Sequence, residues 1–371
     1  MTNSLTYQLT NSLTHKSTPY LKFHKEKLLE NYRIFEKTCE KHFKNNFQIC
    51  FSTKTNTNPL TIKTLSKIGA GFEVASLREI KLTPKNSFRV MNGPAKTVNE
   101  IKTAIKEDLL IFIDSFSELN KIIQLQKNNP SIKKHFFGIH LGNESSKFGF
   151  TKKQLKEVMK FSRENEINIK AIQLHQGTLN KFSEFKKNLE DQYKTIKPYI
   201  KEMKFLDFGG GYPDNFQLKN LGLKLDNYIF EIKQTFKEFK GIFILEPGRN
   251  LVSDAYTLIT KVITIKEKNK DYYAILDAGI NILSKITLAQ FKFNKLPSSD
   301  VRRQMSDIRH RISDDRKSKT YTLAGPLLFN NDILGKWHGK LSEGDIFEVE
   351  NVGAYCENLS WNIIYDKIKV L

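Results

Sequence analysis

Between residues 47 and 249, eight short apolar segments alternate with amphipathic stretches. A parallel sheet wrapped by helices produces this alternation. The segments are Phe47–Phe51, Gly71–Val74, Phe88–Met91, Leu109–Ile113, Phe136–His140, Ile169–Leu174, Met203–Phe208 and Gly241–Leu245. The stretches between them carry helical spacing: Tyr228, Ile229, Ile232, Phe236 and Phe239 share one face, as do Leu155, Val158, Met159 and Ser162. Pro59 stands where a first helical turn accepts it, and Gly69 follows Ile62, Leu65 and Ile68 as a helix stop.

Eight repeats over about two hundred residues predict an α/β chain with a β/α (TIM) barrel. An open doubly wound sheet has the same local signature, and the count favours the barrel. From Leu251 the texture turns to β alternation, in Tyr256–Ile265, Tyr272–Leu276, Thr320–Leu323 and Asp345–Val349. The expected division is a barrel over residues 24–253 and a β-rich domain over 254–371, joined by 1–23. A basic, polar insert from Pro297 to Lys319 interrupts the second part as a helix or a loop.

Composition narrows the class. A chain of 371 residues with 39% hydrophobic content can bury a large core. Its longest apolar runs are too short to cross a bilayer, and its first residues lack the apolar centre of a secretory signal. Cys39, Cys50 and Cys356 are odd in number and have no paired spacing, against a disulfide framework or a thiolate metal site. A cytoplasmic location and no membrane partner are expected. The net charge of +20 is spread along the chain, which reads as a solvated surface, though it also suits an acidic protein partner. No aromatic-basic motif of the kind that binds single strands is present, so no nucleic acid is expected.

Barrel active sites lie at the C-terminal ends of the strands. Lys54 stands after the first, His175 and Gly177 after the sixth, Gly209, Gly210 and Gly211 after the seventh, and Glu246, Gly248 and Arg249 after the eighth. Successive glycines admit an anion to backbone N–H groups, and an arginine one loop away can grip it, so these residues make a phosphate site. Glycines alone read equally well as a flexible turn. Lys54, in a mouth that also holds an arginine and a phosphate, can attack an aldehyde, although most lysines of so basic a chain face solvent. Glu246 suits a protonated pyridine nitrogen or a turn. His175 reads as a core residue or as a side chain stacked on a planar ring; no second ligand at metal spacing accompanies it, and no metal is expected.

In chain order, Ser52-Thr-Lys54-Thr-Asn56, Gly69-Ala-Gly71-Phe-Glu73-Val-Ala-Ser76, Asn92-Gly-Pro-Ala-Lys96, Asp114-Ser115 with Glu118-Leu119, Ser146-Lys147-Phe148-Gly149, His175-Gln-Gly177-Thr178 and Glu246-Pro-Gly248-Arg249 form a series of landmarks. The series resembles the fold-type III pyridoxal-phosphate decarboxylases that act on ornithine, arginine and diaminopimelate, whose barrel is related to that of alanine racemase. The resemblance extends to Asp277-Ala-Gly279-Ile-Asn281 and Gly353-Ala-Tyr355. It implies pyridoxal 5'-phosphate in a Schiff base with Lys54, His175 against the ring, Glu246 at the ring nitrogen, and Thr178 and Tyr355 joining the glycines and Arg249 at the phosphate. It also implies amino-acid decarboxylation by a homodimer, each β-rich domain completing its partner's site.

The pattern breaks after Gly325-Pro326-Leu327, where the family carries a cysteine, an acid and, four positions past the cysteine, an aspartate. Here Leu328 replaces the cysteine and Phe329 the acid, while Asp332 persists. The expected substrate contacts are Asp277, Lys285, Phe329 and Asp332, with Asp332 also expected in catalysis. Lys285 stands near the position of an arginine that meets a distal carboxylate, and Gly138 near that of another family arginine. These losses point to an atypical substrate, free or tethered to an acidic carrier protein. The alternatives are a cofactor-retaining pseudoenzyme, a basic docking protein, or a racemase or epimerase, which needs a second base opposite Lys54.

Overall fold

Each of the eight expected segments forms a strand, and the strands close into a parallel barrel in the computed structural model of the chain. Residues 17–142, 146–177, 181–284, 289–297, 318–362 and 365–371 are described. Strand β1 (Tyr20–Phe23) lies outside the barrel, which comprises β2 (Phe47–Ser52), β3 (Gly71–Val74), β4 (Arg89–Met91), β5 (Leu110–Ile113), β6 (Phe137–His140), β7 (Ile169–Gln173), β8 (Phe205–Asp207) and β9 (Ile242–Leu245). Pairing of Phe47 to Ile49 with Phe243 to Leu245 closes it.

Side chains alternate across a strand, so every second residue points into the barrel. Cys50, Val90, Leu110, Phe112, Ala171 and Ile244 pack together there, with Phe88, Phe136, Phe205 and Ile242 against them. The other face is buried too, through Phe51, Phe72, Ile111, Ile139, Ile172 and Leu206. Double burial is why these strands read as continuous apolar runs. A Cβ on Gly138 would strike the Phe112 ring.

One inward step further along each strand the lining turns polar: Ser52, Glu73, Asn92, Asp114, His140, Gln173, Asp207 and Glu246. Each of the eight strands contributes one of them at its C-terminal end.

Several of the helices that follow are fixed by caps. The side chains of Ser76, Thr97, Ser115, Thr151 and Asp214 each accept the backbone N–H three residues on, a contact worth about 1 kcal/mol. The helix expected through Phe239 ends at Thr235, yet Phe236 and Phe239 remain buried in the turn beyond it. Lys96 is also buried, its Nζ donating to Gly93 O, Phe112 O and Glu118 Oε1 at 2.7–2.8 Å.

Lys25–Ser253 forms one compact unit, and the segment up to His24 with Asp254–Leu371 forms the other. The second unit is a mixed sheet of β10 (Tyr256–Lys268), β11 (Asp271–Leu276), β12 (Lys292–Lys295), β13 (Lys319–Ala324), β14 (Ile333–Gly339) and β15 (Ile346–Glu350) in the order β12-β15-β10-β11-β13-β14. Strand β1 pairs with β10 and with β16 (Lys369–Val370). The sequence reading missed β1, β12, β14 and β16: they are short or carry no buried alternating face. Most of the Pro297–Lys319 insert lies outside the described residues. No helix among the described residues is long and apolar enough to cross a membrane.

Candidate active site

The polar end of the barrel is a connected network. Lys54 sits in a single 3-10 turn, Thr53–Thr55, immediately after β2. Its Nζ donates to Glu73 Oε2 at 2.9 Å, and Ser52 Oγ donates to the same oxygen at 2.8 Å. Asn92 Nδ2 bridges Glu73 Oε1 (3.3 Å) and Glu246 Oε1 (2.7 Å), and Gln173 Nε2 reaches Glu246 Oε1 at 3.1 Å. Asp207 lies against Glu246 and accepts the N–H of Gly209 at 2.7 Å. Across the mouth, His140 Nδ1 meets Asp114 Oδ1 at 2.8 Å.

Burial and charge set the protonation of these groups. Burial raises Glu73, but the Lys54 ammonium and hydrogen bonds from Lys54, Ser52 and Asn92 hold it below the usual carboxylate range. Burial pushes Asp207 up to about 7. Burial, then the charges of Asp207 and Glu73, push Glu246 well above its ordinary value. Two buried carboxyl groups side by side therefore share a proton at neutral pH. His175 stands at the exposed top of the mouth. Its surroundings, then the Lys54 charge, lower its imidazole from the ordinary value, which favours the neutral ring.

The loops after β8 and β9 approach each other through glycine. Gly209 and Gly211 have φ of +63° and +84°, and a Cβ on Gly210 would lie 2.6 Å from Glu246 O. A Cβ on Gly248 would collide with Thr55. Arg249 is buried and begins the short helix Arg249–Val252. Gln176, Gly177, Gly210, Gly211 and Tyr212 line one cavity there.

This end of the barrel fits pyridoxal phosphate. Backbone N–H groups that no Cβ obstructs, together with Arg249, match a phosphate. Lys54 matches an aldehyde, and buried Glu246, crowded by negative charge, matches a protonated ring nitrogen. Residues 30–253 match the family model described as the pyridoxal binding domain of pyridoxal-dependent decarboxylases. The chain belongs to this family. It is a pyridoxal-phosphate-dependent amino-acid decarboxylase.

Its relatives include the diaminopimelate decarboxylase of Aquifex aeolicus, 25% identical over 332 residues that cover 83% of this chain and 76% of the relative. That of Haemophilus influenzae is 27% identical, covering 85% and 78%. Among solved structures, diaminopimelate decarboxylase from Helicobacter pylori complexed with L-lysine superposes with a TM-score of 0.82 at 21% identity, over 96% of this chain and 91% of the other. Lysine/ornithine decarboxylase from Vibrio vulnificus complexed with cadaverine gives 0.80 at 18% identity, over 98% and 97%. The pyridoxal-dependent decarboxylase fold, a barrel followed by a β-rich part, is thus shared throughout.

The barrel gathers Lys54, His175, Gly177, Gly209, Gly210, Gly211, Glu246, Gly248 and Arg249 at one end. Thr178 and Lys285 lie outside the described residues. Asp277, Phe329, Asp332 and Tyr355 belong to the other unit. Asp332 is held within its own unit. It is 2% exposed, and its carboxylate accepts Ile280 N–H at 2.7 Å and Leu327 N–H at 2.9 Å, holding two loops together. Gly279 and Gly325 leave the room that this carboxylate fills. Asp277 is likewise engaged internally, accepting from Thr18, from Thr260 Oγ1 and from Lys261 N–H. Phe329 remains half open, 5.8 Å from the Trp361 ring, beside Leu328 at 90% exposure.

The sequence reading did not assign Asn92, Asp114, His140, Gln173 or Asp207 to the site. Their signal was the strand phase: in each strand the polar residue stands two positions beyond an inward apolar or glycine residue.

Proposed function

We propose that this decarboxylase acts on an amino acid whose side chain ends in an apolar or bulky group rather than in the compact cation of ornithine. The observation that carries this reading is the loop after β13. Where the family presents a cysteine and an acid, this chain presents Leu328 and a Phe329 edge-to-face with Trp361, and Asp332 is turned inward. An apolar surface leaves a distal ammonium without a partner and penalises it by desolvation. The relatives named for diaminopimelate and for lysine or ornithine therefore give the chemistry rather than the substrate.

In this reading Lys54 supplies the amine that takes the cofactor aldehyde, and Glu73 holds the Lys54 proton while the site is being filled. Neutral His175 lies against the ring, Glu246 faces the ring nitrogen, and Asn92 and Gln173 keep the Glu246 carboxyl oriented. Gly177, Thr178, Gly209, Gly210, Gly211, Gly248, Arg249 and Tyr355 hold the phosphate. Bound there, pyridoxal phosphate supplies the electron sink that lets a carboxylate leave as carbon dioxide. The β-rich unit of a second copy completes each mouth, bringing Phe329 to the substrate.

Borohydride reduction and peptide mapping test the assignment of Lys54: the pyridoxyl group is expected on this residue, and Lys54→Ala is expected to lose the visible cofactor band. Carbon dioxide release from a panel of amino acids tests the substrate class. Aromatic and branched side chains are expected to exceed ornithine and diaminopimelate; the reverse order would overturn the assignment.

A further inference from the structure

The polar residues at the barrel end divide into two groups. Ser52, Glu73, Asn92, Gln173, Asp207 and Glu246 are joined to Lys54 or to one another around the proposed ring-nitrogen and aldehyde sites. Asp114 and His140 stand apart. They follow β5 and β6, on the opposite wall of the closed barrel from β2 and β9, which carry Lys54 and Glu246.

This pair is fixed from several sides. Asp114 accepts His140 Nδ1 and the backbone N–H of Gly149, which hold its carboxyl below the usual range against the effect of burial. An ionised Asp114 requires Nδ1 to carry a proton, so the tautomer is set. The carbonyl of His140 accepts Phe150 N–H at 2.8 Å, and the Phe148 ring lies 6.2 Å from the imidazole. The charged and titratable groups facing the pair include Lys96, which acts on Asp114, Glu118, which Asp114 influences, and His175, which His140 influences in turn. The other ring nitrogen, Nε2, has no hydrogen-bond partner among the described residues. It is not sealed in the core either, for the side chain keeps 11% exposure at the mouth. A histidine oriented by a carboxylate, its second nitrogen without a partner among the described residues, is the arrangement of an acid–base group.

We propose that His140, oriented by Asp114, returns the proton to the substrate carbon after carbon dioxide departs. The bond between the α carbon and its carboxylate breaks, leaving the electron pair with the carbon. Nε2 takes up a proton from solvent at the mouth, and that N–H bond breaks as the new C–H bond forms, returning the ring to its Nδ1–H form. Leu328, which stands where the family carries a cysteine, has no proton to give. The inference rests on the decarboxylase reading but not on the choice of substrate.

The test uses the full-length, cofactor-loaded protein with His140→Gln and Asp114→Asn. Borohydride mapping to Lys54 and the cofactor spectrum report whether the site is still assembled. Single-turnover analysis reports how decarboxylated substrate divides between the amine and the carbonyl compound formed, with pyridoxamine phosphate, when the proton lands on the cofactor instead. His140→Gln is expected to keep the mapping and the spectrum, to slow amine formation about 10²-fold, and to shift product toward the carbonyl compound. In cofactor-free protein, nitrogen NMR is expected to find the His140 proton on Nδ1, and Asp114→Asn to release that preference. An unchanged product division, or a loss of amine that only follows a loss of mapping at Lys54, would overturn the proposal. Wild-type protein that releases no carbon dioxide from any amino acid would overturn the decarboxylase reading instead.

Discussion

At the scale of single residues, the carboxyl pair Asp207 and Glu246 has a measurable signature in stability. An acid whose pKa is raised on folding stabilises the native state most at low pH. The unfolded chain surrenders that proton near pH 4, whereas folded Asp207 keeps it until about pH 7, so stability falls as pH rises across that window. The loss is on the order of a few kcal/mol. Asp207→Asn removes the titrating group. Melting curves of the cofactor-free protein between pH 4 and pH 7 are therefore expected to show a smaller decline for the variant than for the wild type. Parallel declines would mean that Asp207 is ionised throughout. Occupation of the site adds a cation beside Glu246, which favours the ionised carboxyl and weakens the same dependence.

At the scale of elements, Asp332 secures the loops on either side of it. Asp332→Ala leaves the N–H groups of Ile280 and Leu327 without acceptors, at about 1–3 kcal/mol for each buried group. A lower melting temperature is the expected result, with the Lys54 cofactor band retained; wild-type stability would show that the carboxylate does not secure the loops. The strands of the barrel were legible because burial on both faces writes a continuous apolar run, as in Leu110–Ile113. The phosphate loops were legible because glycine is required where Gly209 and Gly211 turn and where Gly210 nears Glu246 O. The Asp114–His140 pair was hidden because its partners lie 26 residues apart and meet only when two adjacent strands align. Strand β14, with a half-open face and glycine at Gly335 and Gly339, gave no alternation to detect.

At the scale of the whole molecule, the proposed function requires two copies. Lys54→Ala and Tyr355→Ala place their defects on different units of the chain. Mixing the two inactive proteins under exchange conditions is expected to restore turnover above that of either alone, because some mixed dimers would hold one intact mouth. Turnover that stays at the level of the parents would place both residues in a site built from a single copy. The polar end of the barrel carries a further consequence for how such a chain can vary. Each strand offers the mouth one side chain, and the neighbouring position faces the surrounding helices. A residue gained or lost in a loop such as 84–87 leaves that assignment intact, whereas one lost before Glu73 within β3 would swing its carboxylate outward and bring Phe72 or Val74 into the opening. The barrel thus fixes which eight positions reach the mouth, and it is intolerant of a changed count along any strand.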